Sequence, residues 1–82
     1  MILIIDDDIA VRTSLLLLLK AEGYVAEGTP LPGEALTIIK KRNPELIILD
    51  LNFSIDTSGQ EGLDLLESIK KINPTVPVIL IT

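Results

Sequence analysis

Residues 2–8 read Ile2-Leu3-Ile4-Ile5-Asp6-Asp7-Asp8, a continuous apolar run, mostly β-branched, that stops at three acids. An apolar run without alternation predicts a strand buried on both faces, as in a parallel sheet. Leu46–Leu49 is a second such run and also ends in an acid, Asp50, while Val76–Ile81 is a third. Tyr24–Glu27 reads as a shorter, less hydrophobic strand near an edge. Helical patterns lie between them. Ile9–Glu22 carries Val11, Leu15, Leu18 and Leu19 as a stripe and ends at Gly23. Pro32–Arg42 turns Ala35, Leu36, Ile38 and Ile39 inward and is stopped by Asn43-Pro44. A third helix of about twelve residues follows Gln60, with Leu63, Leu66 and Ile69 on one side and Asn73-Pro74 as its stop. The order β-α-β-α-β-α-β predicts one α/β domain over residues 1–82, with a parallel sheet and right-handed crossovers.

Composition narrows the function. With 48% hydrophobic and 23% charged residues in 82, the chain is globular and not disordered. It contains no Cys and no His, which excludes disulfides, thiolate or imidazole metal sites and any Ser-His-Asp arrangement. Seven Lys and Arg against twelve Asp and Glu leave a net charge of −5, a poor match to a phosphate backbone, so no direct nucleic-acid partner is expected. The longest apolar runs, Met1–Ile5 and Leu15–Leu19, fall far short of the roughly 18 residues that span a bilayer. No basic region precedes the first of them, so no signal peptide and no membrane partner are expected, and the localisation read from the sequence is cytoplasmic.

In open parallel sheets, ligands gather at the carboxyl ends of the strands. Asp6, Asp7 and Asp8 close strand one and Asp50 closes strand three, so neighbouring strands would bring three or four carboxylates to one place. Such a cluster repels itself and stays ionised only with a cation to screen it. Oxygen-only ligands of this kind suit Mg²⁺. Thr82, at the end of strand four, offers a hydroxyl to a phosphoryl oxygen. Taken singly, these residues are ordinary: acids before a helix serve as caps, and an acid after a strand is a common turn residue. Their combination at strand ends is what points to a site.

The opening Ile-Leu-Ile-Ile-Asp-Asp-Asp, Leu-Ile-Ile-Leu-Asp-Leu-Asn of strand three, Glu-Gly-Leu-Asp-Leu-Leu of helix three and Pro-Val-Ile-Leu-Ile-Thr of strand four occur in that order. In these motifs the chain resembles the receiver domain of two-component response regulators. The resemblance implies a flavodoxin-like three-layer sandwich with sheet order 2-1-3-4. It makes Asp50 the phosphoacceptor, loaded from a phosphohistidine on a sensor histidine kinase or phosphotransfer protein. Asp7 becomes a direct Mg²⁺ ligand, Asp6 a ligand through water, and the backbone carbonyl of Asn52 a third contact, while Thr82 becomes the switch hydroxyl. The module so implied is a switch, not an enzyme. Asp8 receives no role from the family and is expected to cap helix one.

Two departures from the family pattern stand out. Gly62 lies twelve residues beyond Asp50, a longer spacing than is usual, and Phe53–Gly59 contains no Pro. That longer loop resembles receivers of enhancer-binding transcriptional activators. The chain also stops at Thr82, so helix four, strand five with its Lys, and helix five of the family pattern are expected to be lacking. Lys20, Lys40, Lys41, Lys70 and Lys71 all fall at or near helix ends away from the acids. Phosphoryl chemistry is accordingly expected to be reduced or lost. Strand four should present an open apolar edge, and Leu16 and Leu17 should be left wet. Self-association through that edge, as a dimer or by exchange of elements, follows as an expectation.

Two other readings stay open at this point. One is an oligomerising interaction fragment without phosphoryl chemistry. The other is a fragment of a haloacid-dehalogenase-type phosphatase, with Asp6 as nucleophile and Asp8 as acid, although Ala10 and the short chain count against it.

Overall fold

The computed structural model describes residues 1–51 and 60–81. Strand β1 (Ile2–Ile5) is the spine of the sheet, because it pairs in parallel with β2 (Ala26–Thr29) on one side and β3 (Leu46–Asp50) on the other. Strand β4 (Val78–Ile81) adds beyond β3, giving the order β2-β1-β3-β4. Leu3, Ile4 and Ile5 are fully buried, as an unbroken apolar run between two parallel neighbours requires.

The two faces are covered unequally. Helices α2 (Pro32–Arg42) and α3 (Gln60–Ile72) share one core with Leu3, Ile5, Ile47 and Leu49, to which they contribute Ala35, Ile39, Leu65 and Ile69. Helix α1 (Ile9–Ala21) lies on the opposite face, over β1 and β2, and contributes no fully buried residue. Along the row of paired residues Ile4, Ile48 and Ile79, burial declines from complete at Ile4 to 52% exposure at Ile79. The apolar surface of β4 on that face is wet.

Local chemistry sets the helix ends. The Asp8 carboxylate accepts from the backbone N–H of Ala10 (2.9 Å) and of Val11 (3.2 Å), which makes it the expected N-cap of α1. Gly23 takes the left-handed conformation, φ 89°, that ends α1. Asn43 does the same for α2 at φ 48°, and its side-chain oxygen accepts from Asn73 Nδ2 just past α3, tying the two helix ends together.

Five boundaries or faces differ from the sequence reading. Strand β2 begins at Ala26, not Tyr24, because Tyr24 N–H is spent on Leu19 O at the end of α1 and pairing starts with Ile2 N–H to Val25 O. It extends through Gly28 and Thr29, beyond the expected end at Glu27. Strand β4 begins at Val78, since Pro77 has no N–H and enters the ladder only through its carbonyl, which accepts from Ile47. The inward stripe of α1 is Arg12, Leu15, Leu16 and Leu19, so Leu18 points out with Leu17, while Leu16 is half-buried. On α3, Gly62, Leu65 and Ile69 face the core, and Leu63 faces solvent.

Gly62 marks the closest approach of α3 to the sheet. A Cβ there would stand 2.5 Å from Leu51 O and 2.8 Å from Leu51 Cα, backbone atoms that cannot swing aside. An exposed Gly→Ala change in a helix gains about 1 kcal/mol from propensity. Here overpacking of about 1–3 kcal/mol opposes that gain. Gly62→Ala is therefore expected to lower the midpoint of thermal unfolding by several degrees, at about 4–8 °C per kcal/mol for a domain this small. A raised midpoint would show that α3 lifts away from Leu51 at no penalty.

Candidate functional site: an acidic cluster at the strand ends

The pairing of Ile5 with Leu49 puts the next residues, Asp6 and Asp50, side by side at the carboxyl edge of the sheet. Asp7 completes the group: each of Asp6, Asp7 and Asp50 offers a carboxylate oxygen, and these oxygens lie within 4.8 Å of one another. The three are graded in access, with Asp6 buried, Asp50 half-buried and Asp7 exposed. Asp8 stands apart, because its carboxylate caps α1.

Asp6 is held on three sides. Its N–H donates to Thr29 O at 3.2 Å, its Oδ1 accepts from Asp8 N–H at 2.9 Å, and its carbonyl accepts from Arg12 Nη1 at 2.7 Å. Burial pushes its carboxyl pKa above the ordinary aspartate value. The Asp8 N–H pulls the other way, while a hydrogen bond with Asp50 and the charges of Asp50 and Asp7 push it further up. An all-oxygen set of this size fits a hard divalent cation, whose charge would relieve the repulsion.

Of the residues expected in the site, Asp6, Asp7 and Asp50 come together, while Asn52, the loop after it and Thr82 lie outside the described residues. Lys20, Lys40, Lys41, Lys70 and Lys71 sit in the last turns of their helices, at the other end of the sheet from the acids. Lys70 donates to Val76 O there. Among the described residues, the cation seen at the strand ends is Arg12, which the sequence reading did not single out. Its signal was available: an Arg at 12 shares a helical face with Leu15, Leu16 and Leu19, where a wholly buried stripe would carry an apolar residue.

The family model described as the response regulator receiver domain matches residues 2–82. The chain belongs to this family. Among its relatives are the nitrogen assimilation regulatory protein NtrX of Azorhizobium caulinodans, 38% identical over 99% of this chain, and the sporulation initiation phosphotransferase F of Bacillus subtilis, 32% identical over 99%. The chain spans 17% of the first protein's length and 62% of the second's. The receiver domain of NtrX from Brucella abortus superposes with a TM-score of 0.87 at 32% identity, over 98% of this chain and 65% of that one. A response regulator from Burkholderia pseudomallei, with a phosphorylated aspartic acid and a calcium ion, superposes at 0.83 and 25% identity, over 96% of this chain and 44% of that one. The flavodoxin-like receiver fold is thereby established. No helix among the described residues is long and apolar enough to cross a membrane.

The raised pKa of Asp6 carries a sign for stability. A carboxyl that binds its proton more tightly folded than unfolded lowers stability as pH rises from the unfolded value, near about 4, through the folded one. Asp6→Asn removes that loss. In metal-free buffer at neutral pH the variant is expected to melt above the parent, with the gap closing below about pH 3. Equal midpoints at neutral pH would mean that the clustered carboxylates exert no strain on the fold.

Proposed function

We propose that this receiver is a Mg²⁺-dependent phosphoacceptor switch of a phosphorelay, taking its phosphoryl group on Asp50 from a histidine kinase or phosphotransfer protein. The observation that carries the reading is the graded access within the acid cluster. Asp50 is half-buried and keeps part of its surface for an incoming phosphodonor, whereas Asp6 is 2% exposed. In the transfer, an Asp50 carboxylate oxygen attacks phosphorus, the P–O bond forms and the P–N bond to the donor imidazole breaks, the electron pair leaving with the nitrogen. Asp6 and Asp7, with Asp50 itself and the carbonyl of Asn52, would hold the cation. A bound Mg²⁺ supplies charge neutralisation for the acceptor oxygens and the transferring group. Thr82 is assigned the hydroxyl that meets the phosphoryl oxygens. The phosphorylated aspartic acid and calcium ion of the Burkholderia pseudomallei regulator support an acceptor aspartate and a divalent cation in this reading. A cytoplasmic location goes with a kinase partner of this kind.

The arrangement disfavours the phosphatase alternative, which needs an accessible Asp6 and a free Asp8 acid. Asp6 is closed off and Asp8 is engaged as a cap. A second reading, association of copies through β4, is favoured by the exposure of Ile79 and Leu80 there, at 52% and 42%. Sedimentation equilibrium over a dilution series is expected to show reversible dimers; a monomer throughout would remove that reading.

The test of the acceptor role is intact mass after incubation with Mg²⁺ and a small phosphodonor. The expected result is one phosphoryl adduct on the parent, none on Asp50→Asn, and an adduct on the parent that fails to form in excess chelator. An adduct that persists in Asp50→Asn and disappears in Asp6→Asn would transfer the role to Asp6.

A further inference from the structure

Arg12 reaches the acid cluster from an unusual direction. Its guanidinium donates to the backbone carbonyl of Asp6 at 2.7 Å, beyond the last paired residue of β1. The side chain is held along its length. Position 28 of β2 is Gly, and a Cβ there would lie 2.8 Å from Arg12 Cγ, 2.9 Å from its Cδ and 3.3 Å from Leu16 Cδ1. The stem of Arg12 thus fills the space that a side chain at 28 would occupy, and Leu16 closes it from behind. The backbone of Arg12 is fixed as well, its N–H donating to Asp8 O at 3.0 Å in the first turn of α1.

We infer that Arg12, seated over Gly28, is a positioning residue for the cation site: it clamps the Asp6 carbonyl and so fixes the Asp6–Asp7 peptide from which two of the three acids project. This deepens the function proposed above and rests on the cluster binding a divalent cation. The geometry explains why the contact matters. Asp6 and Asp7 are consecutive, so their side chains leave the backbone on diverging vectors, and both reach one point only for a narrow setting of the peptide plane between them. The strand ladder no longer sets that plane, because Ile5 is the last residue of β1. Arg12 on the Asp6 carbonyl restrains it instead, while Thr29 O on the Asp6 N–H holds the preceding Ile5–Asp6 peptide. Groups that orient metal ligands typically change affinity 10–100-fold when removed.

Charge and position make opposite predictions here, which makes the idea decidable. If Arg12 acted only as a nearby positive charge, its removal would tighten cation binding. If it acts by position, removal weakens binding. The experiment is calorimetric titration of Mg²⁺ into the parent, Arg12→Met, Arg12→Lys, Gly28→Ala and the Arg12→Met/Gly28→Ala pair, each first shown to unfold cooperatively. Mg²⁺ affinity is expected to fall about 10-fold in Arg12→Met. In Arg12→Lys it should fall less, because the shorter side chain keeps one donor on a similar stem. Gly28→Ala, which leaves Arg12 in place but displaces its stem, should also weaken binding, and should add nothing once Arg12 is Met. A metal-free readout runs alongside: the Asp7 amide resonance should move more than those of Leu3 and Ile4 in Arg12→Met, since its peptide carbonyl loses a donor. Unchanged or tighter Mg²⁺ binding in Arg12→Met overturns the inference while leaving the cation site intact. If Arg12→Met does not fold, the Gly28→Ala and Arg12→Lys titrations decide by the same criterion. A parent that binds no Mg²⁺ overturns the cation site itself and the inference with it.

Discussion

The parallel pairing of β1 with β3 is the interaction on which the rest of this molecule depends. It joins the two central strands of the sheet and fixes their register, Ile5 beside Leu49. That register leaves Asp6 and Asp50 as the first residues past the ladder. A slip of one residue would turn both strands inside out and separate the acids. Stability and the site therefore come from the same contact, and neither can be changed alone.

The site works against the fold that creates it. Asp6 is carried into the edge of the core by its place one residue beyond Ile5, and its carboxyl faces Asp50 with Asp7 close by. Only part of the resulting strain is offset locally, by the Asp8 N–H on Asp6 Oδ1. What remains is a standing preference for anything that brings positive charge to that point, which is how an acidic cluster can couple ligand binding to the state of the protein around it.

Much of this was legible in the residues. Unalternating runs at Ile2–Ile5 and Leu46–Leu49 gave the buried strands, and Asn43-Pro44 and Asn73-Pro74 gave the helix ends, because both signals are local. The convergence of Asp6, Asp7 and Asp50 depended on β1 and β3 being neighbours, an order that the resemblance to receiver domains implied and the pairing bears out. Errors arose where a distant partner decides. Nothing near Gly28 says that it continues a strand; it does so by pairing with Ile4, and Arg12, from α1, occupies the place of its side chain. Likewise the run Leu15–Leu19 is apolar all round, so periodicity could not choose its inward face, and the polar Arg12 that shares that face was the better guide.

The unequal covering of the two sheet faces makes a residue such as Arg12 workable. On the face of α2 and α3, Ala35, Ile39, Leu65 and Ile69 are closely packed against β1 and β3, and a guanidinium among them would be stranded without water. The α1 face is thinner: no α1 residue is fully buried, and its inward positions are only half-covered. An Arg there can lay its methylenes over the bare backbone of Gly28 and carry its charged head to the rim, covering apolar surface and meeting a polar atom with one side chain. A Leu at 12 would cover the same surface and leave the Asp6 carbonyl without its donor. The looser face thus gives the backbone of the acid site a support that the well-packed face could not accommodate.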